Sequence, residues 1–214
     1  MEIQRITPVL GAKIIGVDLS KPLSNDDFDE VHDAFVSHSV LIFSDQNLSA
    51  QNMIDFSNRF GPLMIHVLKD SLLEGYPEIY KLSNRRTKGK SEGRAYAGQY
   101  WHSDLTYEPR PSLGSLLYGI EVPEVGGDTL FASTAYAFET LSPALQTMLE
   151  GLTAEHLFAH AFRSGINRAA RNGDPLNERP AVSHPVVRSH SVTGRKSLFV
   201  NEGFTVRINE LSPG

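Results

Sequence analysis

The chain contains no cysteine. Disulfides, thiolate metal sites and cysteine nucleophiles are therefore excluded, and any bound metal must be held by histidine and carboxylate side chains. No window approaches the roughly 18 consecutive apolar residues of a membrane-spanning helix. The opening residues, MEIQRITPVLGAKIIGVDLS, lack a basic stretch leading into a long apolar run, so they do not read as a secretory signal. Positive charge is not in excess either. The formal net charge is −5, which argues against nucleic acid or an anionic membrane as partner. Cytoplasm is the default compartment. No internal repeat, low-complexity tract or linker divides the 214 residues, enough to bury the core of one domain.

What is present is a succession of short elements. Residues 3–6 and 12–17 read as strands broken by Pro8 and Gly11. Ser24 and Asp27 have capping-box-like spacing. Phe28, Val31 and Phe35 follow at helical intervals, which predicts a helix over 25–38. The run VLIF at 40–43 suits a buried strand. Ser49 caps a second predicted helix over 50–60, facing Met53, Phe56 and Phe60 inward and stopped by Gly61-Pro62. Strands are expected at 78–82, 112–122, 129–132 and 152–158, and a hairpin at 181–189 and 197–200 around Thr193-Gly194. Helices are expected over 135–141 and after Ser142-Pro143. Residues 163–179 read as polar and irregular. Many short strands with a few helices make a mainly β, α+β protein, and a jelly roll is one such solution.

One segment differs. Residues 84–98, NRRTKGKSEGRAYAG, are polar, basic and without periodicity, and read as a solvated loop or as a mobile lid. It leads directly into YWHSDLTY at 100–107, where His102 and Asp104 stand two residues apart among aromatic, apolar and β-branched neighbours. On a strand, residues i and i+2 face the same way, so the imidazole and the carboxylate converge. A third ligand from elsewhere would complete a two-histidine, one-carboxylate iron site. A short H-x-D triplet is also what a surface strand or a plain His–Asp hydrogen bond looks like.

Three stretches carry a resemblance: WHSD at 101–104, PEVGGDT at 123–129 and HPVVRSHSVTGRKSLFVNEGFT at 184–205. With GAKIIGVDLSKPLS, VLIFSDQNLS and FGPLMIH in the N-terminal part, they resemble the TauD/TfdA family of Fe(II)- and 2-oxoglutarate-dependent dioxygenases over essentially the whole chain. The resemblance implies a double-stranded β-helix, the cupin-like jelly roll, in a single domain over 1–214 that is incomplete at its C-terminus. It implies His102 and Asp104 as catalytic metal ligands and Thr129 as a hydrogen-bond partner of 2-oxoglutarate. Family members use O2, release succinate and CO2, and usually form dimers or tetramers. Their third ligand is a distal histidine in a W-D-N-R…H context, followed by an arginine that binds 2-oxoglutarate. Neither feature occurs in the sequence, and His184 and His190 do not correspond to it.

The same resemblance places His66, Tyr107, Phe162 and Phe204 around the substrate, an anionic head with an apolar body. Lys69 and Gly98 stand where taurine dioxygenase has a tyrosine and an asparagine that help recognise the taurine amine. A cation and a bare backbone there disfavour an ammonium group. A sulfonate or sulfate ester is expected, with a phenoxyalkanoate as alternative. A non-catalytic jelly roll that binds a small acid is the rival of another class. A metal hydrolase is disfavoured because no second ligand cluster or general base is apparent.

Overall fold

The computed structural model describes residues 1–167, 173–176 and 179–212. Its elements in chain order are β1 (Glu2–Arg5), β2 (Ala12–Ile15), α1 (Asn25–His38), β3 (Leu41–Phe43), α2 (Ala50–Asn58), β4 (Leu72–Leu73), β5 (Tyr76–Tyr80), β6 (Arg86–Thr87) and β7 (Lys90–Ser91). Then come α3 (Thr134–Glu139), α4 (Pro143–Leu149), β8 (Thr153–His156), α5 (His160–Arg163), β9 (Val182–Pro185), β10 (Val187–Ser189), β11 (Lys196–Leu198) and β12 (Thr205–Ile208). They divide into two compact units. The first comprises Met1–Pro62, Ser115–Thr140 and Ser189–Ser197, the second Leu63–Gly114, Leu141–Arg188 and Leu198–Gly214.

In the first unit β1 pairs antiparallel with β2, and β2 pairs parallel with β3. A parallel pair needs a crossover, and α1 supplies it. The helix begins where the cap chemistry predicts. The Asp27 N–H donates to Ser24 Oγ at 3.1 Å, and the Ser24 hydroxyl donates to the Asp27 carboxylate at 2.7 Å. It ends at Ser39, in the left-handed region at φ 63°. Ser49 and Asn52 form a reciprocal capping box on α2, an arrangement worth about 1 kcal/mol. The buried face of α1 (Phe28, Val31) meets Phe56 of α2 and Leu19, with Phe43, Phe60 and Leu116 around them. Phe56 makes edge-on contacts with Phe43 and Phe60.

In the second unit β8 is the middle strand of the order β12-β8-β9. His156 opposes Val182, and Ala154 opposes His184. The two histidines therefore share one face of the sheet, where both pack on Phe199. His156 is fully buried, and neither of its ring nitrogens has a hydrogen-bond partner among the described residues. Burial, with His184 beside it, pushes its pKa down to about 4.

Three expected strands are absent. Residues 100–107 do not form a strand. The Glu108 N–H donates to the Leu105 carbonyl at 2.9 Å, and Leu105 has φ 56°, which no strand residue adopts. Residues 112–122 and 129–132 carry no strand either. No strand of the described sheets lies beside them, and an extended segment needs a neighbour for its backbone groups. Ile120 is 89% exposed there. In the segment 84–98 the structure has a small hairpin, β6 and β7, where only a loop was expected. The irregular stretch at 163–179 lies partly outside the described residues.

The buried His156 makes stability pH-dependent. Its folded pKa lies below the ordinary histidine value, so the unfolded chain takes up the proton first as pH falls. Stability is expected to drop between about pH 6.5 and pH 4, at up to roughly 1.4 kcal/mol per pH unit. His184, also depressed chiefly by burial, adds in the same direction. Urea midpoints across this range should show a flatter slope in His156→Leu, and an unchanged slope would dismiss His156 as the cause.

Candidate functional site

His102 and Asp104 converge without a strand. The turn at 104–107 folds the carboxylate back so that Asp104 Oδ1 lies 3.3 Å from His102 Nε2. The other ring nitrogen, Nδ1, lies 2.8 Å from the Tyr100 carbonyl oxygen. A carbonyl only accepts, so Nδ1 carries the hydrogen and Nε2 presents a lone pair towards Asp104. Two electron-rich atoms at that distance need a cation between them, either a proton or a metal ion. The Asp104 carboxylate accordingly raises the His102 pKa against the effect of burial. A metal-ligating histidine is usually pinned in this way through its second nitrogen. The donor set and its tautomer fit two ligands of a divalent ion. Among the described residues, no group of three His, Asp or Glu side chains converges to complete one.

The walls around His102 are aromatic. Its ring lies 4.9 Å from Tyr100 and 6.2 Å from Phe204, edge-on to the latter. Phe204 meets Tyr107 at 4.9 Å, Tyr107 meets Phe158 at 4.8 Å, and Phe158 meets Phe162 at 4.8 Å. Three residues expected around the substrate, Tyr107, Phe162 and Phe204, are thus drawn into one cluster with the proposed ligand. Burial pushes the Tyr100 phenol up to about 12 and moves Tyr107 the same way, so both remain neutral donors. Gly203 makes the close approach of Tyr100 feasible. A Cβ at 203 would stand 2.1 Å from Tyr100 Cε2. Gly98, at φ 72°, lies against the His102 ring, where a Cβ would stand 3.2 Å from Cε1.

His66 sits in the same unit, stacked on Tyr80 at 4.4 Å. The Leu68 N–H donates to its Nδ1 at 3.0 Å, which leaves the proton on Nε2. Burial lowers its pKa, so His66 is a neutral N–H donor. Leu68 and Tyr80 belong to the core around Phe204. Lys69 is exposed beside them. Thr129 lies in the first unit, exposed and outside any strand. His184 is engaged elsewhere, since its Nε2–H donates to the Glu108 carbonyl at 3.0 Å. The buried Arg94, bound to Asp70 and Asp174, escaped the sequence reading. A charged residue in a polar loop gives no sign of burial.

A family model described as "Taurine catabolism dioxygenase TauD, TfdA family" matches residues 2–214. The alpha-ketoglutarate-dependent 2,4-dichlorophenoxyacetate dioxygenase of Cupriavidus pinatubonensis is 34% identical over 203 residues, covering 90% of this chain and 70% of that protein. The alpha-ketoglutarate-dependent sulfonate dioxygenase of Saccharomyces cerevisiae is 32% identical over 219 residues, covering 99% of this chain and 52% of that protein. The chain thus spans about half the length of the yeast relative. A crystal structure titled a putative alpha-ketoglutarate-dependent taurine dioxygenase, from Burkholderia xenovorans, superposes with a TM-score of 0.80 at 29% identity. It covers 99% of this chain and 67% of that one. The chain therefore has the fold of these dioxygenases, which is the jelly-roll class expected from the sequence.

Removal of His102 should weaken metal binding selectively. In the full-length protein, Co(II) affinity is expected to fall about tenfold or more in His102→Ala. It should be unchanged in His190→Ala, whose exposed ring accepts only the Val192 and Thr193 N–H groups in the first unit. Equal losses in the two variants would move the metal away from His102.

Proposed function

The chain belongs to the TauD/TfdA family, and from that premise we propose that the protein is an Fe(II)- and 2-oxoglutarate-dependent dioxygenase. Its substrate is a small anionic molecule, a sulfonate or sulfate ester, or alternatively a phenoxyalkanoate. The observation that carries this reading is the pair of His102 Nε2 and Asp104 Oδ1 at 3.3 Å, with the imidazole tautomer set by the Tyr100 carbonyl. When bound, iron and 2-oxoglutarate supply O2 activation, with succinate and CO2 as products and one oxygen atom added to the substrate.

The chain's own residues do the rest. His102 and Asp104 would hold the metal through Nε2 and a carboxylate oxygen. Thr129 donates a hydroxyl hydrogen bond to 2-oxoglutarate. Tyr107, Phe162 and Phe204 give the substrate body an apolar wall and keep water out. His66 donates its Nε2–H to the anionic head. It is neutral, so it selects by hydrogen bonding, while Lys69 supplies charge nearby. Gly98 adds no side chain beside the His102 ring. The dioxygenase is a single domain that forms a homo-oligomer of two or four copies, as the family resemblance supports, with the cytoplasm as its default compartment.

The test is O2-dependent succinate formation by the full-length protein with Fe(II) and 2-oxoglutarate. The panel holds taurine, longer alkylsulfonates, alkyl sulfates and phenoxyacetates, with His102→Ala as control. Stimulation by an alkylsulfonate or alkyl sulfate, lost in the control, is expected. Equal or better turnover of taurine would refute the specificity argument from Lys69 and Gly98. Absence of iron binding would transfer the site to a non-catalytic jelly roll that binds a small acid.

A further inference from the structure

Arg94 lies within the polar segment 84–98 that precedes the turn carrying His102 and Asp104, and its side chain is only 1% exposed. The guanidinium forks onto Asp174, with Nη1 3.2 Å from Oδ2 and Nη2 2.8 Å from Oδ1. Nη2 also reaches Asp70 Oδ1 at 3.1 Å. Asp174 is itself buried, with 6% of its side chain exposed, whereas Asp70 keeps 46%. The backbone is tied as well. The Arg94 N–H donates to the Lys81 carbonyl at 2.9 Å, and its carbonyl accepts from the Ser83 N–H at 3.3 Å. Gly93 packs so closely on Lys81 that a Cβ would stand 2.6 Å from its carbonyl oxygen.

A buried ion pair is a poor way to gain stability, because desolvation cancels most of the attraction. What it supplies here is geometry. A planar fork on two carboxylates fixes direction as well as distance. Three chain segments meet at it. Asp70 lies in the 3-10 turn Lys69–Ser71, just after His66 and the buried Leu68. Lys81 follows Tyr80, whose ring stacks on His66. Asp174 stands two residues before Leu176, which packs against the core around Phe204. The Lys81 N–H donates to the Ser71 carbonyl at 2.7 Å and closes the first two segments on each other.

We propose that Arg94 is a positioning residue for the anion-binding wall: by holding Asp70, Lys81 and Asp174 together it fixes the His66–Tyr80 stack and so fixes where His66 presents its Nε2–H. Its guanidinium engages carboxylates of the protein, and it acts on the substrate only through His66. This role for His66 rests on the dioxygenase reading above, but the placement of the ring can be read without turnover.

The test uses Arg94→Met, Arg94→Lys and Asp174→Asn in the full-length protein. In the metal-free protein, the His66 ring-proton resonances are held upfield by the Tyr80 ring. They should move towards the positions of free histidine in Arg94→Met and Asp174→Asn, and partly return in Arg94→Lys. With the best alkyl sulfate or alkylsulfonate, KM should rise about tenfold or more while kcat falls less, since substrate placement is lost and the metal site is not. Co(II) affinity should hold in all three. Unmoved His66 resonances in folded Asp174→Asn or Arg94→Lys would overturn the proposal even where Arg94→Met fails to fold. So would a parallel loss of Co(II) affinity. Shifted His66 resonances with no turnover of any compound would uphold the placement and overturn only the dioxygenase reading.

Discussion

The 2.8 Å hydrogen bond from His102 Nδ1–H to the Tyr100 carbonyl sets the chemistry of the site. It decides which ring nitrogen carries a hydrogen, and thereby leaves the other with a lone pair facing Asp104. With the opposite tautomer, Nε2–H would donate to the carboxylate, and the pair would be an ordinary charge-assisted hydrogen bond. The carbonyl is dependable because Tyr100 is itself held. Its ring lies close against the bare Gly203 backbone and packs edge-on against Phe204. Fixed backbone, fixed tautomer and fixed lone pair follow in that order.

The aromatic cluster gives this arrangement its surroundings. His102, Phe204, Tyr107, Phe158 and Phe162 form a continuous series of ring contacts in the second unit. Aromatic pairs in such arrangements contribute about 0.5–1.5 kcal/mol each beyond the area they bury. The low-polarity wall also strengthens every electrostatic interaction made beside it. His66 and Tyr80 extend the wall as a stacked pair whose polar tip is a neutral N–H. Apolar body and directional donor are the two features that a small organic anion requires.

Legibility in the sequence divided along the range of the interactions. Helix α1 spans Asn25–His38 as its cap and periodicity require, because both signals are local. The Ser49 and Ser142 caps were readable for the same reason. The convergence of His102 with Asp104 was also expected, but through the wrong backbone. Strand-like composition at 100–107 lost to a turn that depends on Leu105 at φ 56°. The run at 112–122 has strand composition, yet composition supplies no neighbouring strand. Arg94 was illegible because its carboxylates lie 24 and 80 residues away. Nothing near it in the chain separates a buried guanidinium from a solvated one. The family resemblance, which integrates many positions, suggested roles for His66, Phe162 and Phe204 that spacing alone does not encode.

The contact between Tyr100 and Gly203 also constrains how this protein can change over generations. A Cβ at 203 would overlap the Tyr100 ring, so no side chain enters there while the ring stays. If Tyr100 first became small, that overlap would be removed. The two positions therefore have a favoured order of replacement and a disfavoured one. A side chain at 203 is accommodated once residue 100 is small or the Tyr100 ring has moved aside.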